Sequence, residues 1–379
     1  HKKEDFNFIA SGKIWYGDKI SPDTQKTFDL SFKSVDKDSS AVVLIKCASS
    51  SESSSQTSVN VQIGDTTLSS LLTFDICSHN KKATEKNSYY TAKPSSGKIS
   101  VSLKYSAGNL KSFGAVERIL VNLYRPLSMG GEKTIFFRNP ATMRVQSNYT
   151  YHIGECNSNI EVWDISDRAN PQKVSTQLSG DTLLFSATAD SVLHEYVAVD
   201  VKNPKCISAE YVGKVSNQNL HAEKPADMVV VAHEDFLAGA EEIAQLHRDY
   251  DQMDVLVTTP DQIYNEFSSG AQDATAIRWF MKKMYDQNGK QPFHLLLIGD
   301  GCYDNRALQA TKTTKINNYI VTYQGGSSTD GGYTFAADDY FAFMDDEDMR
   351  YGKTNLAKTY ISVGRIPCST TSELNGFIK

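Results

Sequence analysis

The spacing of hydrophobic positions changes along this chain, and each change predicts a different architecture. Up to about residue 130 the apolar residues recur at period two. Phe28-Asp29-Leu30-Ser31-Phe32, Ser58-Val59-Asn60-Val61-Gln62-Ile63, Ile99-Ser100-Val101-Ser102-Leu103-Lys104-Tyr105 and the run from Glu117 to Tyr124 each put apolar side chains on one face only. That alternation predicts half-buried strands, and Val42 to Ile45 reads as a short buried one. Residues 1–130 are therefore expected to form a β-sandwich or jelly-roll-like module. The polar run from Ser49 to Ser58, SSSESSSQTS, has nothing to bury and reads as a solvated hairpin loop or a disordered stretch.

A second β-rich module is expected over residues 131–225. Its strands are Thr134 to Arg138, Tyr149 to Ile153, Ile160 to Asp167, Thr182 to Ser186 and Glu195 to Val199. Asn170-Pro171 marks a sharp turn after the third. The polar stretch Ser216 to Pro225 ends this block and reads as a domain boundary.

From Ala226 the period switches. Met228 to Ala232 is an unbroken apolar strand, and Asp235 is the expected cap of a helix carrying Phe236, Leu237, Ala240, Ile243, Ala244 and His247 at period 3.6. Val255 to Val257 is a second strand, followed by a short helix near Pro260. Asp273 caps a third helix with Ile277, Phe280, Met281 and Met284 on one side, ending at Asn288-Gly289. Leu295 to Ile298 then runs into Gly299-Asp300-Gly301. Strands alternating with helices in this way predict a doubly wound parallel sheet with right-handed crossovers. Residues 226–379 are thus an α/β unit, and the whole chain is multi-domain, all-β first and α/β last. A further strand is expected at Thr359 to Val363, then a helix opened by the capping-box-like Ser369 to Glu373.

Composition narrows the function classes. Across 379 residues the net charge is −6, which argues against a nucleic-acid partner. No apolar run is long enough to cross a membrane as a helix. The nineteen tyrosines and the abundance of Ser, Thr and Asn suit an extracytoplasmic β-rich protein. Cys47, Cys77, Cys156, Cys206, Cys302 and Cys368 lack CxxC spacing, so a zinc ribbon is excluded on pattern while disulfide pairing stays open.

Candidate chemistry lies where open α/β sheets bind ligands, at the carboxyl ends of the strands. His233, Thr258-Thr259 and Asp300 share that edge. A nucleophilic Cys302 would need a base. His294 stands six residues ahead of Asp300, about 20 Å away at ~3.3 Å per residue, at the opposite end of the strand. His233 lies at the right edge on another strand, and a buried, inert Cys302 is the favoured alternative to a dyad. Asp300, Asp304, Asp338 and Asp339 are candidates to order loops or to bind a ligand. Calcium is the cation that Asp300, Asp338 and Asp339 would suit, although Asp345 to Asp348 lacks EF-hand spacing. Arg365 is placed to form a structural fork with Asp300 or Asp339. The Gly/Ser/Thr-rich loop from Arg306 to Phe335 is longer than a simple connection requires.

Several segments together resemble a known family: ADMVVVAHEDF, AQLHRDYD, DVLVTTPDQIYNEFSSGAQDATAIRWFMKKMY, HLLLIGDGCYDNR, AADDYFAFMDD and ISVGRIPCSTTSEL. They are similar, in the same order, to the gingipain-like cysteine peptidases, and within them to the sortase branch of the type IX secretion system. The resemblance covers about Ala226 to Lys379. It implies the first subdomain of a caspase-like peptidase domain, truncated at its C-terminal end. It implies a Cys-His dyad that removes C-terminal sorting domains from secreted cargo and promotes its attachment at the cell surface. It also implies outer-membrane secretion proteins as partners and a location at the cell surface or in the periplasm. The family's catalytic His stands in a Gly-His-Gly-like turn, and this chain has no His-Gly pair. No catalytic residue carries over; the dyad is expected beyond Lys379 and the chain itself is expected to be inactive. The alternative from another class is a non-enzymatic adhesion or glycan-binding protein whose α/β unit is a scaffold.

Overall fold

The structure is a computed structural model that describes residues 1–51, 56–64, 66–144, 148–188, 190–204, 210–211, 213–291, 293–311, 316–345 and 358–379. The first strands are β1 (Gly17–Ile20), β2 (Gln25–Ser31), β3 (Ala41–Ser50), β4 (Thr57–Ile63), β5 (Thr66–Phe74), β6 (Thr84–Ala92), β7 (Lys98–Ser106) and β8 (Phe113–Asn122). They form two four-stranded antiparallel sheets of order β1-β8-β3-β6 and β2-β7-β4-β5. This interleaving is the strand order of a jelly roll. Along β4, Thr57, Val59, Val61 and Ile63 are buried while Ser58, Asn60 and Gln62 are less so. Each such apolar side chain contributes about 1.5–3 kcal/mol to the shared core.

Several expected boundaries move. The buried strand read at Val42 to Ile45 extends to Ser50, and the Ser-rich run is not simply solvated. Ser49 is fully buried, with its hydroxyl 2.6 Å from Thr57 Oγ1 and 2.9 Å from the Tyr105 hydroxyl. The core therefore takes a serine where three hydroxyls satisfy one another. Glu52 to Ser55 of that run lie outside the described residues.

The second group comprises β9 (Thr134–Arg138), β10 (Asn148–Ile153), β11 (Ile160–Asp164), β12 (Gln172–Lys173), β13 (Gln177–Ser179), β14 (Thr182–Thr188) and β15 (Glu195–Asp200). Sheets β10-β14-β13 and β12-β11-β15-β9 enclose a separate core in which Phe137, Tyr151, Phe185 and Tyr196 pack ring against ring.

The α/β part contains β16 (Met228–Ala232), α1 (Leu237–Leu246), β17 (Val255–Thr258), α2 (Pro260–Phe267), α3 (Ala274–Gln287), β18 (His294–Ile298), the short pair β19 (Tyr323–Gln324) and β20 (Ala336–Ala337), β21 (Ser362–Ile366) and α4 (Thr371–Ile378). Strands β17-β16-β18-β21 form one parallel sheet. Val229, Val231, Leu295 and Leu297 pack on α2 and α3, while Val230, Ala232 and Ile298 pack on α1 and α4. Burial on both faces explains why these strands read as unbroken apolar runs. Asp273 caps α3, as the sequence predicts, and α2 begins at Pro260 behind a capping box of Thr259 and Gln262 that the sequence reading did not name. The cap before α1 differs. His233, not Asp235, closes that end: its Nδ1 accepts from the Asp235 amide at 3.2 Å, and Glu234–Phe236 form a 3-10 turn first. The last strand also shifts, from the expected Thr359 to Val363 onto Ser362–Ile366, which puts Arg365 within the sheet.

The polar stretch before this unit is pinned rather than loose. Glu266 on α2 accepts from Gln218 Nε2 at 2.8 Å, the Leu220 amide at 2.7 Å and the His221 amide at 3.0 Å. Leu220 itself is buried in the α/β core.

Candidate functional site

The carboxyl edge of the parallel sheet is built around Gly299-Asp300-Gly301. Gly299 has φ +136°, and a Cβ there would lie 2.8 Å from Tyr319 Cβ. A Cβ on Gly301 would lie 2.6 Å from Thr322 Cγ2 and 2.8 Å from the Ile320 carbonyl. Both glycines are thus required because the chain returns across the strand end. The Asp300 carbonyl accepts from the Tyr319 and Ile320 amides at 3.0 and 3.2 Å, and the Asp300 amide donates to the Cys368 carbonyl at 2.9 Å. Its carboxylate accepts from the Gly301 amide at 2.8 Å.

Arg365 ties this edge together. Its Nε and Nη2 each donate to Asp338 at 2.7 Å, and Nη1 donates to the Gly299 and Ile320 carbonyls at 2.8 and 3.1 Å. The fork expected from the sequence therefore exists, but its partner is Asp338 rather than Asp300 or Asp339. The reason is register: β21 pairs Arg365 beside Leu297, so the guanidinium reaches past the end of β18 to the turn after Ala337. Asp339 opens the 3-10 turn Asp339–Ala342. Asp304 is almost fully buried and accepts from the Leu308 and Gln309 amides at 2.9 and 2.7 Å, which is a loop-ordering role.

Asp338 is committed to Arg365, and among the described residues no group of three or more His, Cys, Asp or Glu is arranged to hold a metal. The calcium considered at Asp300, Asp338 and Asp339 would meet an Asp338 whose carboxylate already accepts two arginine hydrogen bonds. Within Asp345 to Asp348, residues 346–348 lie outside the described residues.

The thiol candidates are also placed. Cys302 Sγ accepts from the Asp304 amide at 3.4 Å, and the Cys302 amide donates to Asn318 Oδ1 at 3.1 Å. The His233 ring packs edge-on against Tyr319 at 4.8 Å between centroids, with Nδ1 engaged by the Asp235 amide. No hydrogen bond joins Cys302 to His233 among the described residues. Cys368 is fully buried, and burial raises its thiol above the ordinary range. Cys47, Cys77, Cys156, Cys302 and Cys368 are all free thiols.

The sequence reading missed the largest feature of this edge, which is the amino-terminal segment that crosses it. Trp15, nearly fully buried, stacks on Tyr303 at 5.9 Å, and Lys13 Nζ sits 4.0 Å from the centroid of the Tyr323 ring. Arg306 donates to both carboxylate oxygens of Glu4 at 2.9 and 3.0 Å, which holds that carboxyl down to about 2. The loop read at Arg306 to Phe335 docks here. Its Ser328 hydroxyl accepts from the Ile14 amide at 2.8 Å, and its Thr329 carbonyl accepts from the Lys82 amide at 2.7 Å. Gly12, at φ +82°, would bring a Cβ to 2.0 Å from the Ser327 carbonyl. Between this segment and the start of α3 lies a cavity of ≈ 320 Å³ lined by Lys13, Trp15, Thr275, Tyr303, Arg306 and Tyr323. Trp15 and Gly12 carry no periodic signal, so only their packing reveals them.

Residues 221–379 match the sequence model of Peptidase family C25. The structure of dimeric latent PorU from Porphyromonas gingivalis is similar to the whole chain at a TM-score of 0.86 and 21% identity; it is matched over 37% of its own length. At that identity the likeness is one of fold. Two other structures, a triple jelly-roll turret protein of an archaeal virus and Sulfolobus turreted icosahedral virus, match 48% of the chain at TM-scores of 0.17 and 0.16 and carry no argument. No curated protein matches the chain.

Proposed function

From the match of residues 221–379 to peptidase family C25, we propose that this chain is the non-catalytic part of a gingipain-like cysteine endopeptidase of the PorU type. Its parallel sheet would be the first half of a caspase-like domain. The observation that carries the reading is the sealed carboxyl edge. Arg365 binds Asp338 and two carbonyls there, while Cys302 and His233 each have other partners. A nucleophilic thiol needs a base within hydrogen-bond reach, and among the described residues no histidine is hydrogen-bonded to Cys302. The jelly roll and the second β module are then platforms that position cargo or dock outer-membrane secretion proteins. The parent enzyme would cut C-terminal sorting domains from secreted cargo at the cell surface and promote its attachment there.

The test is a cleavage assay on the 379-residue chain with a peptide spanning a sorting-domain junction. The expected result is no iodoacetamide-sensitive hydrolysis. Hydrolysis that Cys302→Ala abolishes would overturn the reading. A surface adhesin would instead come from a parent reading frame with no later strand ending in His-Gly and none ending in Cys.

A further inference from the structure

The cleft between the two β modules, far in sequence from the peptidase-like sheet, has the chemistry of a peptide site. It has a volume of ≈ 650 Å³ and is walled by Lys33 and Arg125 on the jelly-roll side and by Phe136, Arg138 and Glu132 on the other. Tyr151 also lines it. That residue is 8% exposed, and its hydroxyl is buried with no hydrogen-bond partner among the described residues. A buried phenol left unpaired is costly, and an incoming donor or acceptor would relieve it.

The charges around the cleft are unbalanced. Lys33 and Arg125 share one carboxylate, Glu132, at 3.4 and 3.8 Å. Arg138 is matched by Glu195 at 2.6 Å. One positive charge is thus left over at the rim. Phe136 stands beside it at 68% exposure, an apolar ring open to a ligand.

The backbone decides which kind of ligand fits. Among the described residues β9, which carries Phe136, is the terminal strand of its sheet and pairs with β15 on one side only. A terminal strand presents unpaired amides and carbonyls along its free side, a template for one more strand. A glycan would leave that ladder unused, whereas an extended peptide would complete it.

We propose that this cleft binds an extended peptide carrying an acidic residue, which adds a strand to the free side of β9. Its carboxylate pairs with Lys33 and Arg125, an apolar neighbour packs on Phe136, and a polar group reaches the Tyr151 hydroxyl. The inference stands apart from the peptidase reading, since none of these residues belongs to the α/β unit.

The experiment uses fluorescence anisotropy with the 379-residue chain and a labelled octapeptide of alternating Thr and Val with a central Asp. Binding should weaken about tenfold when Lys replaces the Asp, or when Arg125→Glu reverses the rim charge. Alternate backbone N-methylation of the peptide should abolish it. Phe136→Ala and Tyr151→Phe should each weaken binding, with Tyr151→Phe leaving thermal stability unchanged or raised. Equal affinity for the Asp and Lys peptides, or no loss on N-methylation, overturns the proposal. So does binding of a labelled oligouronate in place of the peptide. A dimer in sedimentation that Phe136→Ala dissociates also overturns it, because a second copy would then occupy the cleft.

Discussion

Arg365 joins three segments that are distant in sequence: the end of β18, the returning chain at Ile320 and the turn at Asp338. Its side chain is only 11% exposed, so the fork is shielded from most solvent screening. Arg365→Lys keeps the charge but cannot make the two parallel bonds to Asp338 and still serve both carbonyls. We expect a loss of about 2 kcal/mol in urea unfolding. An unchanged midpoint would mean that the fork is ornamental. The sequence placed Arg365 and Asp338 among the candidates but not as partners, because a fork depends on strand register and that is a three-dimensional fact. Asp304 was read from the sequence as a residue that orders a loop or binds a ligand, and in the structure it accepts from the Leu308 and Gln309 amides.

Among the elements, α2 ties the α/β unit to the polar segment that precedes it. Glu266 near its end is desolvated, which raises its pKa, yet hydrogen bonds from Gln218, Leu220 and His221 outweigh that and hold it down to about 2. The folded value lies below the ordinary 4.5, so the stabilisation is present above pH 4.5 and is lost as pH falls toward 2. Glu266→Gln should flatten the acid limb of the stability profile between those values, read by circular dichroism. The same change should expose the segment 216–225 to limited proteolysis at neutral pH, which the wild-type chain is expected to resist. That segment read as a domain boundary because it is polar. Its polar atoms in fact meet one buried-side carboxylate, and pattern alone does not distinguish a pinned linker from a free one.

At the scale of the whole molecule, the jelly roll and the α/β unit are coupled through the amino-terminal segment. Trp15 against Tyr303 and Gly12 against Ser327 make a close-packed seam, while the Glu4–Arg306 pair lies nearer the surface. Exposed pairs contribute little, so the seam should rest on Trp15. Trp15→Ala should cost about 3–5 kcal/mol at the seam. Calorimetry is expected to show one cooperative transition for the wild type splitting into two for the variant. A single transition merely shifted downward would show that the units unfold together for another reason. Glu4→Gln, by contrast, should leave the midpoint nearly unchanged.

The sequence by itself determined the order of architectures, β then β then α/β, the strands buried on both faces, the cap at Asp273, and a collinear resemblance over about Ala226 to Lys379 that overlaps the match of residues 221–379 to Peptidase family C25. Those features are local or periodic: side-chain alternation, turn residues and collinear motifs persist in one dimension. β1, β5 and β6 were not legible, because a strand such as TEKNSYYTA is polar along most of its length and becomes a strand only by pairing with β3. The partner of Arg365, the burial of Ser49, the strap of Trp15 across the sheet edge and the open side of β9 were decided by tertiary structure alone. Each depends on which distant segments meet, and a contact between residues hundreds of positions apart leaves no period to read.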